Sequence, residues 1–122
     1  MKITILFVFL FLIVTIAKGQ NAVADSVSHY FVALYTTGSS WDATKQFYDQ
    51  TYFNEHSAHL SALRKSGNIA VGGRYSDTGL ILIKAKNEIE ALQLINDDPA
   101  IRNELFKVSI FPFDPFYSGC IE

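Results

Sequence analysis

Between His29 and Phe113 the apolar residues recur with strand period and helix period in the order β-α-β-β-α-β, and that order limits the possible folds more than any other feature. His29–Thr37 (HYFVALYTT) is rich in aromatic and β-branched residues and reads as a strand with Tyr30, Val32, Leu34 and Thr36 on one face. Gly38 and Ser39 break it. Ser39-x-x-Asp42 resembles a capping box, and no Pro or Gly lies between Asp42 and Ser66, so a helix is expected to begin there. Phe53, His56, Leu60 and Leu63 form its apolar face, and Gly67 ends it. Ile69–Tyr75 is a strand in which Gly72-Gly73 marks a bulge or a close backbone approach. Ser76 to Gly79 is a turn and Leu80 to Ala85 a near-continuous apolar strand. Asn87-x-x-Glu90 caps a second helix reaching about Asn96 and burying Ile89, Leu92 and Ile95. Asp98 caps, and Pro99 starts, a short helical turn to about Glu104, and Leu105–Phe113 is the last strand. The pattern is α+β: one antiparallel four-stranded sheet with both helices on one face. Two helices cover only one face of strands this apolar, so a second copy packed sheet to sheet is the expected cover, with Phe111 and Phe113 near the seam.

The N-terminus bounds where such a domain works. Met1-Lys2 precedes a fifteen-residue apolar run, Ile3 to Ala17, interrupted only by Thr4 and Thr15. Ala17 and Gly19 then supply small residues at −3 and −1 for cleavage after Gly19. This is the build of a secretory signal peptide, and the run is short for a bilayer span, which needs ~20 residues. The chain is thus expected to divide into a signal over 1–19, a tether over 20–28 and one domain over 29–122. Its compartment is expected to be extracytoplasmic: periplasmic in a Gram-negative bacterium and otherwise secreted, with no stable membrane insertion after cleavage. Losing Lys2 and Lys18 leaves eight basic against twelve acidic residues, a net charge of −4 without like-charge blocks, which argues against nucleic acid as a partner. Cys120 is the one cysteine, so neither an internal disulfide nor a cysteine metal cluster can form.

The densest chemical signal is Asn54-Glu55-His56-Ser57-Ala58-His59, on the first helix. His56 and His59 are three apart, beside Leu60 and Leu63. An imidazole on a half-apolar face can act as a general base near neutral pH. The competing reading is a histidine at the edge of the core satisfied by a backbone carbonyl. A metal site built from Glu55, His56 and His59 is disfavoured, because adjacent helical positions point about 100° apart. It would need Asp97, Asp98 or His29 as well. A loop carboxylate such as Asp98 can orient a histidine tautomer, although a helix N-cap alone also explains it. Arg74, after Gly72-Gly73, offers a cation for an anionic substrate group. The aromatic end, Phe111, Phe113, Phe116 and Tyr117, is expected to line either an apolar pocket or a dimer seam.

Three features carry a resemblance to the YciI-related domain family of the dimeric α/β-barrel superfamily. They are His59-Leu60-x-x-Leu63 followed by Gly67 and a strand reaching Gly72-Gly73, Asn87-Glu88-x-Glu90-Ala91 opening the second helix, and Asp98-Pro99 before the last strand. The resemblance spans about residues 29–113. It implies a ferredoxin-like protomer that pairs into a barrel-like homodimer. It also implies an active site in which His59 and Asp98 are catalytic and His56 binds an anionic group of a small-molecule ligand; Arg74 is the other candidate for that group. The implied chemistry is that of a lyase or isomerase and calls for neither cofactor nor metal. Two departures stand out: relatives are usually cytoplasmic, and the Gly-Pro common after the second strand is Gly72-Gly73 here. The alternative function is a non-catalytic dimer that binds a small ligand or serves in assembly.

Overall fold

The computed structural model describes residues 28–117 and 119. The signal over 1–19, nearly all of the tether, and Cys120 lie outside the described residues. The elements are β1 (His29–Thr37), a 3-10 turn (Phe47–Asp49), α1 (Phe53–Lys65), β2 (Ile69–Tyr75), β3 (Thr78–Ala85), α2 (Glu88–Asn96), α3 (Pro99–Arg102) and β4 (Phe106–Phe113). The strands form one antiparallel sheet in the order β2-β3-β1-β4. This is the expected α+β arrangement and is consistent with a ferredoxin-like fold.

Alternation along the strands separates two faces. Phe31, Ala33 and Tyr35 of β1, with Ile81, Ile83 and Ala85 of β3, point to the helices and are buried. They join Ala91 and Ile95 of α2, Ala100 of α3, and Leu105 and Phe106 in one core. Fully buried Ala33, Ala91 and Ala100 carry only a methyl group, which lets helix and sheet backbones approach closely. The other face carries Val32, which pairs across the sheet with Leu82 and Phe111, and Leu34, which pairs with Leu80. No described helix lies on it.

Local signals set several boundaries. Gly67 adopts φ +81°, its N–H bonds to Arg64 O, and Asn68 N–H reaches back to Leu63 O at 2.9 Å, the Schellman closure of α1. Asn87 Oδ1 accepts from Glu90 N–H at 2.9 Å and caps α2. Gly38 is required by contact: a Cβ there would lie 2.0 Å from the carbonyl oxygen of Glu104.

Three expectations need correction. The first helix does not begin near Asp42. Asp42 Oδ1 instead accepts from both the N–H and the hydroxyl of Thr44, at 2.9 and 2.6 Å, an Asx turn that competes with helix. Buried Gln50 clamps the backbone of Asp42 from both sides, accepting its N–H and donating to its carbonyl. The loop's aromatic side chains, Trp41 and Phe47, pack on Phe106, and α1 starts only after Tyr52, which is left-handed at φ 68°. On α2, Ile89 and Leu92 are exposed, and the residues facing the core are Ala91 and Ile95. In β2 the register shift falls between Ile69 and Val71, one step before the glycines, and no atom approaches either glycine within 4 Å of a built Cβ.

Candidate active site

Asp98 is the organising group. It is fully buried at the start of α3, where Pro99 occupies the first helical position. Asp98 Oδ1 accepts the N–H of Ala100 at 2.9 Å, and Oδ2 meets His56 Nδ1 at 2.5 Å. A carboxylate only accepts, so His56 Nδ1 carries the hydrogen of this bond, and Nε2 has no protein partner among the described residues. The imidazole is wedged among aromatic rings, with centroids 4.8 Å from Phe106, 5.6 Å from Tyr35 and 6.2 Å from Phe53. The bond to Asp98 and the ring contacts fix its orientation, as a carboxylate can do for an imidazole.

The family-based correspondence places the histidine partner of Asp98 at His59; the geometry places it at His56. His59 lies one turn further along α1 and turns toward α2, where its Nε2–H donates to the carbonyl of Leu94 at 2.7 Å. The sequence alternatives are thus divided between the two residues. His59 is the edge-of-core histidine satisfied by a backbone carbonyl, and His56 is the histidine oriented by a carboxylate. Spacing could not separate them, because Asp98 is 42 residues from His56 and the docking of α3 selects the partner.

His56 lines a cavity of about 590 Å³ between α1, the β1–α1 loop and the end of the sheet, within the range usual for small-molecule sites. Trp41, Phe47, Leu60, Ile81 and Phe106 form its apolar walls, and Gly72 and Gly73 leave room along β2. Arg74 borders the cavity with its guanidinium 5.5 Å from the centroid of the Phe47 ring, a cation–π contact across the opening. Its Nε–H donates to Ser76 O at 3.1 Å, and exposed Asp77 lies 4.0 Å from its other end. Arg74 and His56 both line the cavity. The C-terminal aromatics do not take part: Phe116 and Tyr117 pack on each other and are 90% and 87% exposed. The aromatic wall comes instead from the β1–α1 loop and the first residue of β4.

Tyr35 is a site residue that sequence reasoning passed over. It lines the cavity, yet its hydroxyl is the one buried side-chain polar atom among the described residues without a hydrogen-bond partner. Burial first, and the charge of Asp98 second, push its pKa above the ordinary tyrosine value, so the hydroxyl stays protonated. An unpaired buried hydroxyl costs about 1–3 kcal/mol. In the sequence Tyr35 is one more aromatic residue in a strand, and only its missing partner in the fold sets it apart. No group of three or more His, Cys, Asp or Glu side chains is placed to hold a metal ion among the described residues.

No protein-family model matches this chain, and comparisons with curated proteins and with solved structures also return no match.

Proposed function

We propose that this protein is an exported, YciI-like homodimeric enzyme that moves a proton on a small organic anion, by isomerase- or lyase-type chemistry. His56 acts as general base and then acid, Asp98 orients it, and Arg74 attracts the substrate's anionic group. One observation carries this reading: the 2.5 Å pairing of His56 Nδ1 with a fully buried Asp98, on a histidine that lines a cavity of substrate size. A proton taken at Nε2 makes an imidazolium whose charge the Asp98 carboxylate already faces. Low-polarity aromatic walls keep that charge pair effective.

The test is isotope exchange. The protein is incubated in D₂O with small carboxylic acids, lactones and phenols, and deuterium entry at carbon is followed by NMR. Exchange that disappears in His56→Ala supports the reading. Full exchange in that variant, or none with any compound in the parent, leaves a ligand-binding module instead.

The dimer is proposed from the open sheet face. Val32, Leu34, Leu80 and Leu82 form its middle, with Phe111 52% and Phe113 39% exposed at one side. Contiguous apolar surface of more than a few hundred Å² is rare on monomers. Light scattering at micromolar concentration should give twice the chain mass, and Val32→Glu with Phe111→Glu should give a monomer. Export is checked by mass spectrometry, with Gln20 expected at the N-terminus of the mature chain.

A further inference from the structure

Two polar atoms at this site lack protein partners among the described residues, and their chemistry is complementary. His56 Nε2 offers a lone pair, and the Tyr35 hydroxyl offers a hydrogen. Tyr35 belongs to the cavity wall beside His56, and the two rings pack edge-on at 5.6 Å. Tyr35 is 5% exposed. Phenylalanine would keep the ring contacts with His56 and Phe106 and would remove the unpaired hydroxyl. Packing therefore does not explain the oxygen.

We propose that the Tyr35 hydroxyl is a hydrogen-bond donor for a ligand oxygen, and that with His56 it selects small molecules carrying an acidic C–H next to a carbonyl. This deepens the acid–base reading above and rests on it. In the step it serves, the lone pair of His56 Nε2 takes the proton and the C–H bond breaks. Its electron pair forms a carbon–carbon double bond, and the carbonyl π pair moves onto oxygen. The resulting enolate oxygen accepts the Tyr35 hydrogen bond. The imidazolium then returns the proton to the same carbon, giving exchange, or to another carbon of the enolate, giving an isomer; no co-reactant is consumed. A donor sealed from water is suited to this task, because a hydrogen bond to developing charge is strongest where water does not compete. Arg74 at the opening holds a remote anionic group.

The probe is para-nitrophenol, whose coloured phenolate presents a flat oxyanion like that of an enolate. The parent protein should bind the phenolate form, seen as a spectral shift on titration. Tyr35→Phe should bind it about 10- to 100-fold more weakly while melting at the same or a higher temperature. Tyr117→Phe, outside the cavity, should bind like the parent. The proposal falls if the parent does not bind the phenolate, if Tyr35→Phe binds it equally well, or if Tyr35→Phe melts well below the parent, which would make the hydroxyl structural. The acid–base reading fails separately, if isotope exchange persists in His56→Ala, and that result leaves the phenolate measurement intact.

Discussion

His56 and His59 stand one turn apart on the same helix and sit in two different regions. His56 faces the aromatic cavity, with one nitrogen bonded to Asp98 and the other unpaired. His59 faces the seam with α2 and uses its Nε2–H on Leu94 O. The first environment fixes the ring's orientation through Asp98 and leaves Nε2 without a protein partner among the described residues. The second spends a ring N–H on holding two helices together. A histidine's role is thus decided by what its two nitrogens meet, and a spacing of three residues does not reveal that.

The sharpest way to break the comparison is to exchange the roles by mutation. On the proposed acid–base reading, His56→Ala should lower the rate of isotope exchange by about 10²–10⁴-fold with the fold retained. His59→Ala should keep most of that rate and lose about 1–3 kcal/mol of stability in urea unfolding, because the partly buried Leu94 carbonyl loses its donor. A large rate loss in His59→Ala with normal stability would overturn the proposed role of His56 and point to His59 instead.

Asp98 sharpens the comparison, because it belongs to the fold and to the site at once. Asp98→Ala should cost about 0.5–2 kcal/mol for the lost cap alone, and more once the His56 N–H is left without an acceptor. Asp98→Asn still caps α3, so its stability should fall little. Its amide, though, can turn an N–H toward His56 Nδ1 and select the other tautomer, placing hydrogen on Nε2. The exchange rate should then fall nearly as far as in His56→Ala. NMR of the ring nitrogens reads the tautomer directly, and an unchanged tautomer in Asp98→Asn would refute the orienting role.

The smallest expected effect is on alkaline stability. The folded-state pKa of Tyr35 lies above the unfolded value of about 10. Its contribution is fully present below that pH and is lost as pH rises, because the unfolded chain then releases a proton that the folded chain retains. Melting temperature measured upward from pH 9 should fall less steeply in Tyr35→Phe than in the parent. Identical slopes would mean that the hydroxyl reaches solvent.

Where one residue's chemistry acts on its immediate neighbours, the sequence was legible. Gly67 closes α1, Asn87 caps α2, and Asp98-Pro99 opens α3, each through bonds within a few residues. The order of the strands and helices was readable for the same reason, since periodicity is a local property. The helix expected from Asp42 failed because the Asx turn, the clamp by Gln50 and the packing of Trp41 and Phe47 on Phe106 outweigh propensity. The site was legible only in part. Asp98, His56, His59 and Arg74 stand out in the sequence, but that Asp98 meets His56 and not His59, and that the Tyr35 hydroxyl lacks a partner, does not. By itself the sequence determined an α+β chain with a histidine-bearing helix and a loop aspartate. Only the tertiary structure decided that α3 docks Asp98 against His56, that His59 turns to α2, and that the Tyr35 hydroxyl is buried without a partner. Those outcomes depend on contacts between segments tens of residues apart, set by packing geometry that no local pattern encodes.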